Sequence, residues 1–156
     1  MSQSERPEKG GVSWPSNGLS EVPFRVYTDQ DTYDREQECL FQGPTWQYLC
    51  LEVELNEPGD FVSTTMGEVA VIVVRDTAGD INAFVNRCVH RGNLLCMERQ
   101  GNAKKFSCMY HGWTYDLEGN LTGVAFERGV QNQGGMAPDF RKDEHKLRRL
   151  RVAVLG

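Results

Sequence analysis

Cys88-Val89-His90-Arg91-Gly92 and Cys108-Met109-Tyr110-His111-Gly112-Trp113-Thr114-Tyr115-Asp116 decide how this chain is read. Each stretch offers one thiolate and one imidazole, and 17 residues separate His90 from Cys108. Two Cys and two His can build a structural tetrahedral zinc site. The usual zinc spacing places two Cys in one knuckle and two His on a helix, as C-x2-4-C followed by H-x3-5-H. Here neither half holds two Cys or two His. With five Cys and three His in 156 residues, a single C-x-H arising by chance is unsurprising. A C-x-H followed by a C-x2-H, each trailed by Gly, is a far rarer coincidence.

Two Cys–His pairs match the demand of a 2Fe-2S cluster of the Rieske type, where one iron keeps two thiolates and the other takes two neutral imidazoles. Cys88, His90, Cys108 and His111 are therefore the candidate cofactor-binding and metal residues, and no catalytic residue is assigned. Gly92 and Gly112 follow the two His where a tight turn is needed, which Gly permits. Tyr115 is placed to direct its hydroxyl toward the cluster, with a plain core tyrosine as the other reading. Trp113 is expected to shield the cluster by packing.

The stretch from Cys88 to Gly92, with that from Cys108 to Asp116, resembles the Rieske domain of aromatic ring-hydroxylating oxygenase large (alpha) subunits, in their N-terminal portion. The likeness extends to the helix before Trp46, to Gly123-Val124-Ala125-Phe126, and to Gly134-Gly135-Met136 with Glu144-His145. It is nearest in pattern to members acting on terephthalate, salicylate or anthranilate. Respiratory Rieske proteins differ, since they carry an additional Cys in each loop, joined as a disulfide. Asn93 and Tyr110 stand at those places here, and Trp113 stands where they offer a serine. Fewer donors imply a potential toward the bottom of the roughly −150 to +300 mV Rieske range.

The resemblance implies a ferredoxin or reductase as electron donor and an aromatic, carboxylated substrate. It also implies an oligomer at full length, and a mononuclear non-haem iron that receives the electron in a catalytic domain missing from these residues. That iron needs two His and one carboxylate, and after the four ligands only His145 remains. His145 itself reads as a surface residue among charges. The outer nitrogen of each ligand ring is expected to meet a carboxylate of the neighbouring subunit. The basic run Lys146–Arg151, with Arg148, Arg149 and Arg151, reads as a solvated strand face or as a docking patch for an acidic ferredoxin. A stand-alone Rieske electron carrier is the alternative function, although a minimal carrier would not need the 45 residues before Trp46. A zinc-stabilised binding module is a third class.

A net charge of −5 argues against nucleic acid. No apolar run of 18 residues and no hydrophobic leader core appear, so neither a membrane span nor secretion is expected and the cytoplasm is the predicted location. Cys39, Cys50 and Cys96 read as reduced thiols acting as small buried hydrophobes.

The fold class is mostly β: a Rieske-type domain of short antiparallel strands, in a sandwich or barrel-like arrangement, preceded by one N-terminal helix. Residues 1–21 are expected to be a disordered tail and 22–44 a helical segment. Residues 45–150 form the 2Fe-2S domain, and 151–156 begin the truncated catalytic domain. Pro23–Tyr27 reads as extended, Thr28–Asp31 as a capping box opening the helix, and Gly43-Pro44 as its end. Strands are expected at Trp46–Leu51, Phe61–Thr65, Val69–Arg75, Ile81–Asn86, Lys105–Ser107, Trp113–Leu117 and Leu121–Val124. Turns fall at Glu57–Asp60, Asp76–Asp80 and Leu117–Asn120.

Overall fold

The computed structural model describes residues 20–155. Most of the expected tail and Gly156 lie outside them. The chain divides into two compact units, Met1–Gln47 and Tyr48–Gly156.

In the first unit, Phe24–Tyr27 is a turn of 3-10 helix rather than extended chain. Helix α1 spans Gln30–Glu36. Its cap is Asp29, not Thr28: the Asp29 carboxylate accepts from Thr32 N at 3.0 Å and Thr32 Oγ1 at 2.9 Å, and pairs with Arg25 at 2.9 Å. A carboxylate satisfies several donors at a positive helix end, which a threonine hydroxyl does less well. The helix continues as a π-helical turn over Gln37–Phe41, closed by Gln42 N donating to Gln37 O at 2.9 Å. Thr45 Oγ1 and Gln47 Nε2 both donate to Leu40 O, satisfying a carbonyl left over at the helix end.

The second unit holds two antiparallel sheets, as the fold class predicted. Strands β1 (Asp60–Met66), β2 (Val69–Arg75), β3 (Ile81–Val85), β4 (Gln100–Asn102) and β8 (Arg149–Leu150) form a sheet in the order β4-β1-β2-β3-β8. Strands β5 (Phe106–Ser107), β6 (Thr114–Tyr115) and β7 (Leu121–Gly123) form the other, in the order β5-β6-β7. The apolar run in β2 is continuous because both of its faces are covered. Ile72 and Val74, with Phe61 and Phe84, face a core shared with Phe106, Tyr115 and Leu121. Val71 and Val73, with Val62 and Ala83, face a second cluster holding Leu55, Leu49 and Cys50. Each such Val or Ile contributes about 1.5–3 kcal/mol on burial. Phe61 and Phe106 meet edge to face at 5.5 Å and tie the sheets together.

Residues 46–51 form no strand. Leu49 and Cys50 instead pack on the second cluster as a cover, while Tyr48 stays exposed. Cys39 is exposed and Cys50 half-buried, so only Cys96 of the three spare thiols is a buried hydrophobe. No helix among the described residues is long and apolar enough to cross a membrane.

Candidate metal centre

The first Cys–His loop leaves the end of β3, and the second joins β5 to β6. The two loops close by the same pair of hydrogen bonds. In the first, Cys88 N donates to Asn93 O and Gly92 N to Cys88 O, both at 2.8 Å. In the second, Cys108 N donates to Trp113 O at 2.8 Å and Gly112 N to Cys108 O at 2.9 Å. Gly92 and Gly112 sit at φ 69° and 66°, the left-handed turn that their sequence positions anticipated. Each Gly lies four residues after its Cys, whereas His90 lies two after and His111 three after. One backbone loop thus presents its imidazole at two different positions.

The four candidate side chains come together in like pairs. The Cys88 and Cys108 thiols, both buried, lie close enough to act on one another electrostatically. The His90 and His111 rings, both half-buried, lie edge to face at 4.7 Å between centroids. Nδ1 of His90 is buried without a hydrogen-bond partner, which in a folded protein calls for an explanation. Among the described residues, no three His, Cys, Asp or Glu side chains converge on a point that one metal ion would occupy. A single zinc needs four donors around one centre, whereas a two-iron cluster asks each metal for two protein ligands only.

The electrostatics favour the ligand form at His90 and Cys108 and oppose it at Cys88. Burial, with His111 and Arg91 nearby, lowers the His90 imidazole below its usual range and favours the neutral ring that metals bind. Burial pushes the Cys88 thiol up. Cys108 is buried too, but the N–H groups of Tyr110 and His111 outweigh that and bring it below its ordinary value.

Tyr115 is fully buried, and its hydroxyl lies 3.5 Å from Cys88 Sγ and accepts from Val89 N at 3.2 Å. Trp113 is buried and stacks on His90, with 4.8 Å between centroids and 6° between planes. His145 is not the surface residue its charged neighbours suggested: it is half-buried, 5.5 Å from the Trp113 ring and 4.7 Å from Phe140. Arg148, Arg149 and Arg151 are all exposed, and Arg149, in strand β8, also donates to Asn82 Oδ1.

Two contributors escaped the sequence reading. Tyr110 stacks on His111 at 3.8 Å. Asn86 is buried and holds the chain after the first loop: its Oδ1 accepts from Leu95 N at 3.1 Å and Cys96 N at 2.8 Å, and its Nδ2 donates to Cys96 O at 2.7 Å. An Asn two residues before a Cys–His pair was the available signal, but nothing in the sequence says which Asn is buried.

The chain is similar to known proteins. The chain is 49% identical over 143 residues to the terephthalate 1,2-dioxygenase terminal oxygenase component subunit alpha 2 of Comamonas sp, covering 92% of this chain and 35% of that one. It is 51% identical over 147 residues to the salicylate 5-hydroxylase large oxygenase component of Ralstonia sp, with coverages of 92% and 35%. A solved naphthalene 1,2-dioxygenase with indole bound in the active site superposes with a TM-score of 0.75 at 34% identity, covering 83% of this chain and 28% of that one. The chain spans about a third of the length of the curated relatives it matches. Residues 45–133, which contain both loops, seven of the eight strands and the paired thiols and imidazoles, match the Rieske [2Fe-2S] domain, and it is to that family that this chain belongs.

Proposed function

We propose that Cys88 and Cys108 hold one iron, and His90 and His111 the other, of a Rieske 2Fe-2S cluster. We further propose that the chain is the electron-transfer portion of an aromatic ring-hydroxylating oxygenase large subunit. One observation carries the ligand set: each loop contributes one Cys and one His, yet across the loops thiol meets thiol and imidazole meets imidazole. The orphaned Nδ1 of His90 supports it, because a metal bond accounts for a buried nitrogen without a hydrogen-bond partner. When bound, the cluster supplies a one-electron redox couple.

The chain's own residues prepare for that couple. Tyr115 directs its hydroxyl to Cys88 Sγ, and Trp113 keeps water from the inner face of His90. Val89, Met109 and Tyr110 in the two loops are exposed, and Tyr110 stacks on His111. Donor and acceptor lie outside these residues: a ferredoxin or reductase on one side, and a mononuclear iron in the catalytic domain on the other. The names of the terephthalate and salicylate relatives support a carboxylated aromatic substrate for the whole subunit, which would work in the cytoplasm as an oligomer.

Iron and acid-labile sulfide analysis, with EPR of the reduced protein, tests the ligand set. Two irons and two sulfides per chain with a Rieske spectrum are expected, lost in His90→Ala and in His111→Ala and kept in Cys39→Ser. Stoichiometric zinc without labile sulfide overturns it. The oxygenase assignment is tested by the coding sequence beyond residue 156: two further His and a carboxylate in triad spacing are expected.

A further inference from the structure

Asn93 and Trp113 hold equivalent places in the two loops, five residues after Cys88 and Cys108. Each uses its carbonyl to accept the N–H of its own loop's Cys, at 2.8 Å in both cases. Each then sends its side chain across to the other loop. Trp113 crosses to His90 and stacks on it. Asn93 crosses to Cys108, with Nδ2 3.9 Å from Sγ.

The orientation of the Asn93 amide is defined by its surroundings. One Nδ2 hydrogen goes to Leu94 O at 2.9 Å, which leaves the second for the sulfur. The flipped amide would set oxygen against oxygen there, and would turn its carbonyl toward a thiolate. The backbone beyond is anchored as well, since Asn86 Oδ1 accepts from both Leu95 N and Cys96 N. Asn93 is half-buried and Cys108 buried, so water competes weakly for this contact. The two thiols therefore have one side-chain donor each: the Tyr115 hydroxyl for Cys88 and the Asn93 amide for Cys108.

We propose that Asn93 is a positioning residue that raises the reduction potential of the centre by donating its side-chain amide to the Cys108 thiolate. This rests on the ligand set proposed above. An added electron increases negative charge on the sulfur ligands, so an N–H pointed at one of them stabilises the reduced form more than the oxidised form. At 3.9 Å the bond is long, and reduction tightens it. The same contact joins the two loops through one residue, from Cys88 N to the Asn93 carbonyl and from the Asn93 amide to Cys108.

The test is redox titration of the full chain, followed by EPR and circular dichroism, for wild type, Asn93→Leu, Asn93→Asp and Asn93→Gln. Leu keeps the approximate volume and removes the donor. The expected result is a reduction equilibrium about tenfold less favourable, ~59 mV downward for one electron. Asp, which adds charge and removes the donor, falls further. Gln, which keeps an amide, recovers part of the loss. A purely structural role would change cluster content and leave the potential of the loaded fraction alone. Leu and Asp variants that retain iron and sulfide and titrate at the wild-type potential overturn the proposal while leaving the ligand set intact.

Should those variants fail to load, wild-type protein labelled with 15N in the asparagine side-chain amide gives a second readout by pulsed EPR. A nitrogen coupling to the reduced centre is expected, and its absence overturns the role of Asn93. Wild-type protein without labile sulfide removes the ligand set and this inference together.

Discussion

The indole of Trp113 lies parallel to the imidazole of His90, 4.8 Å away and 6° out of plane, although the two residues belong to different loops. Phe140 and His145 meet the same indole edge-on at 5.7 and 5.5 Å. Trp113 is thus the element that carries the orientation of one ligand ring into the core. Replacing it by Ala should cost about 3–5 kcal/mol, the usual loss for a buried large aromatic. Urea unfolding measures that cost. Iron release to a chelator should quicken more than unfolding does, because His90 loses its stacking surface, while Trp113→Phe should lie between. Equal chelator rates in wild type and Trp113→Ala would show that the stack does not hold the ring.

Tyr115→Phe removes the hydroxyl beside Cys88 and leaves Val89 N without its acceptor. An unsatisfied, partly buried N–H costs about 1–3 kcal/mol. The potential should fall as well, since the phenol is placed to stabilise the reduced form. Redox titration and thermal unfolding of the same preparation separate the two effects. A potential that stays put while stability drops confines Tyr115 to a structural part.

The loop glycines should respond unequally to Ala. Both sit at positive φ, where a Cβ costs roughly 1–2 kcal/mol. A Cβ at Gly92 meets nothing within 4 Å, whereas one at Gly112 lies 2.9 Å from the Ala125 methyl. Gly92→Ala should therefore lose about 1 kcal/mol and keep its cluster, and Gly112→Ala should lose more and load poorly. The reverse order in denaturant midpoints contradicts the geometry.

Burial and the neighbouring Glu98 carboxylate push the Cys96 thiol up to about 11. In the unfolded chain it titrates near ~8.5. Between those values the unfolded chain has released a proton that the fold retains, so this group makes stability decline as pH rises from about 8.5 to 11. At neutral pH its contribution is flat. Alkylation by iodoacetamide at pH 8, read by mass spectrometry, should mark exposed Cys39 rapidly and Cys96 only after denaturation. Rapid labelling of Cys96 in the native protein is the contrary result.

What the sequence revealed depends on how local its causes are. The two Cys–His loops were legible because the four candidate ligands and two Gly lie within short, fixed spacings. Strands β2 and β3 were legible from an apolar run, a β-branched composition and the turn Asp76–Asp80, whose Asp76 Oδ1 accepts from Ala78 N and Asp80 N. Strand β4, Gln100–Asn102, is fully exposed and polar, so only its pairing with β1 makes it a strand. For strand β8 the basic run left a solvated strand face and a docking patch both open, because its pairing depends on a distant partner: Arg149 lies opposite Phe84, and its side chain reaches Asn82. Residues 46–51 carry strand-forming side chains, of which Leu49 and Cys50 serve instead as cover for a sheet face. His145 looked solvated because its charged neighbours are local, while Trp113 and Phe140, which bury it, are not.

Strand β4 lies between the two loops in sequence, inside the span from Cys88 to Cys108. In the proposed ligand set each iron draws one ligand from either loop, so that binding would close the span into a ring, as a disulfide does. Closing a ring of about this size removes roughly 3 kcal/mol of unfolded-chain entropy. The gain falls on the part of the sheet that buries least, since every residue of β4 faces solvent. A redox centre held by the proposed ligand set would double as a staple, and the margin of the β1 sheet would owe its order to the same metal that moves the electron.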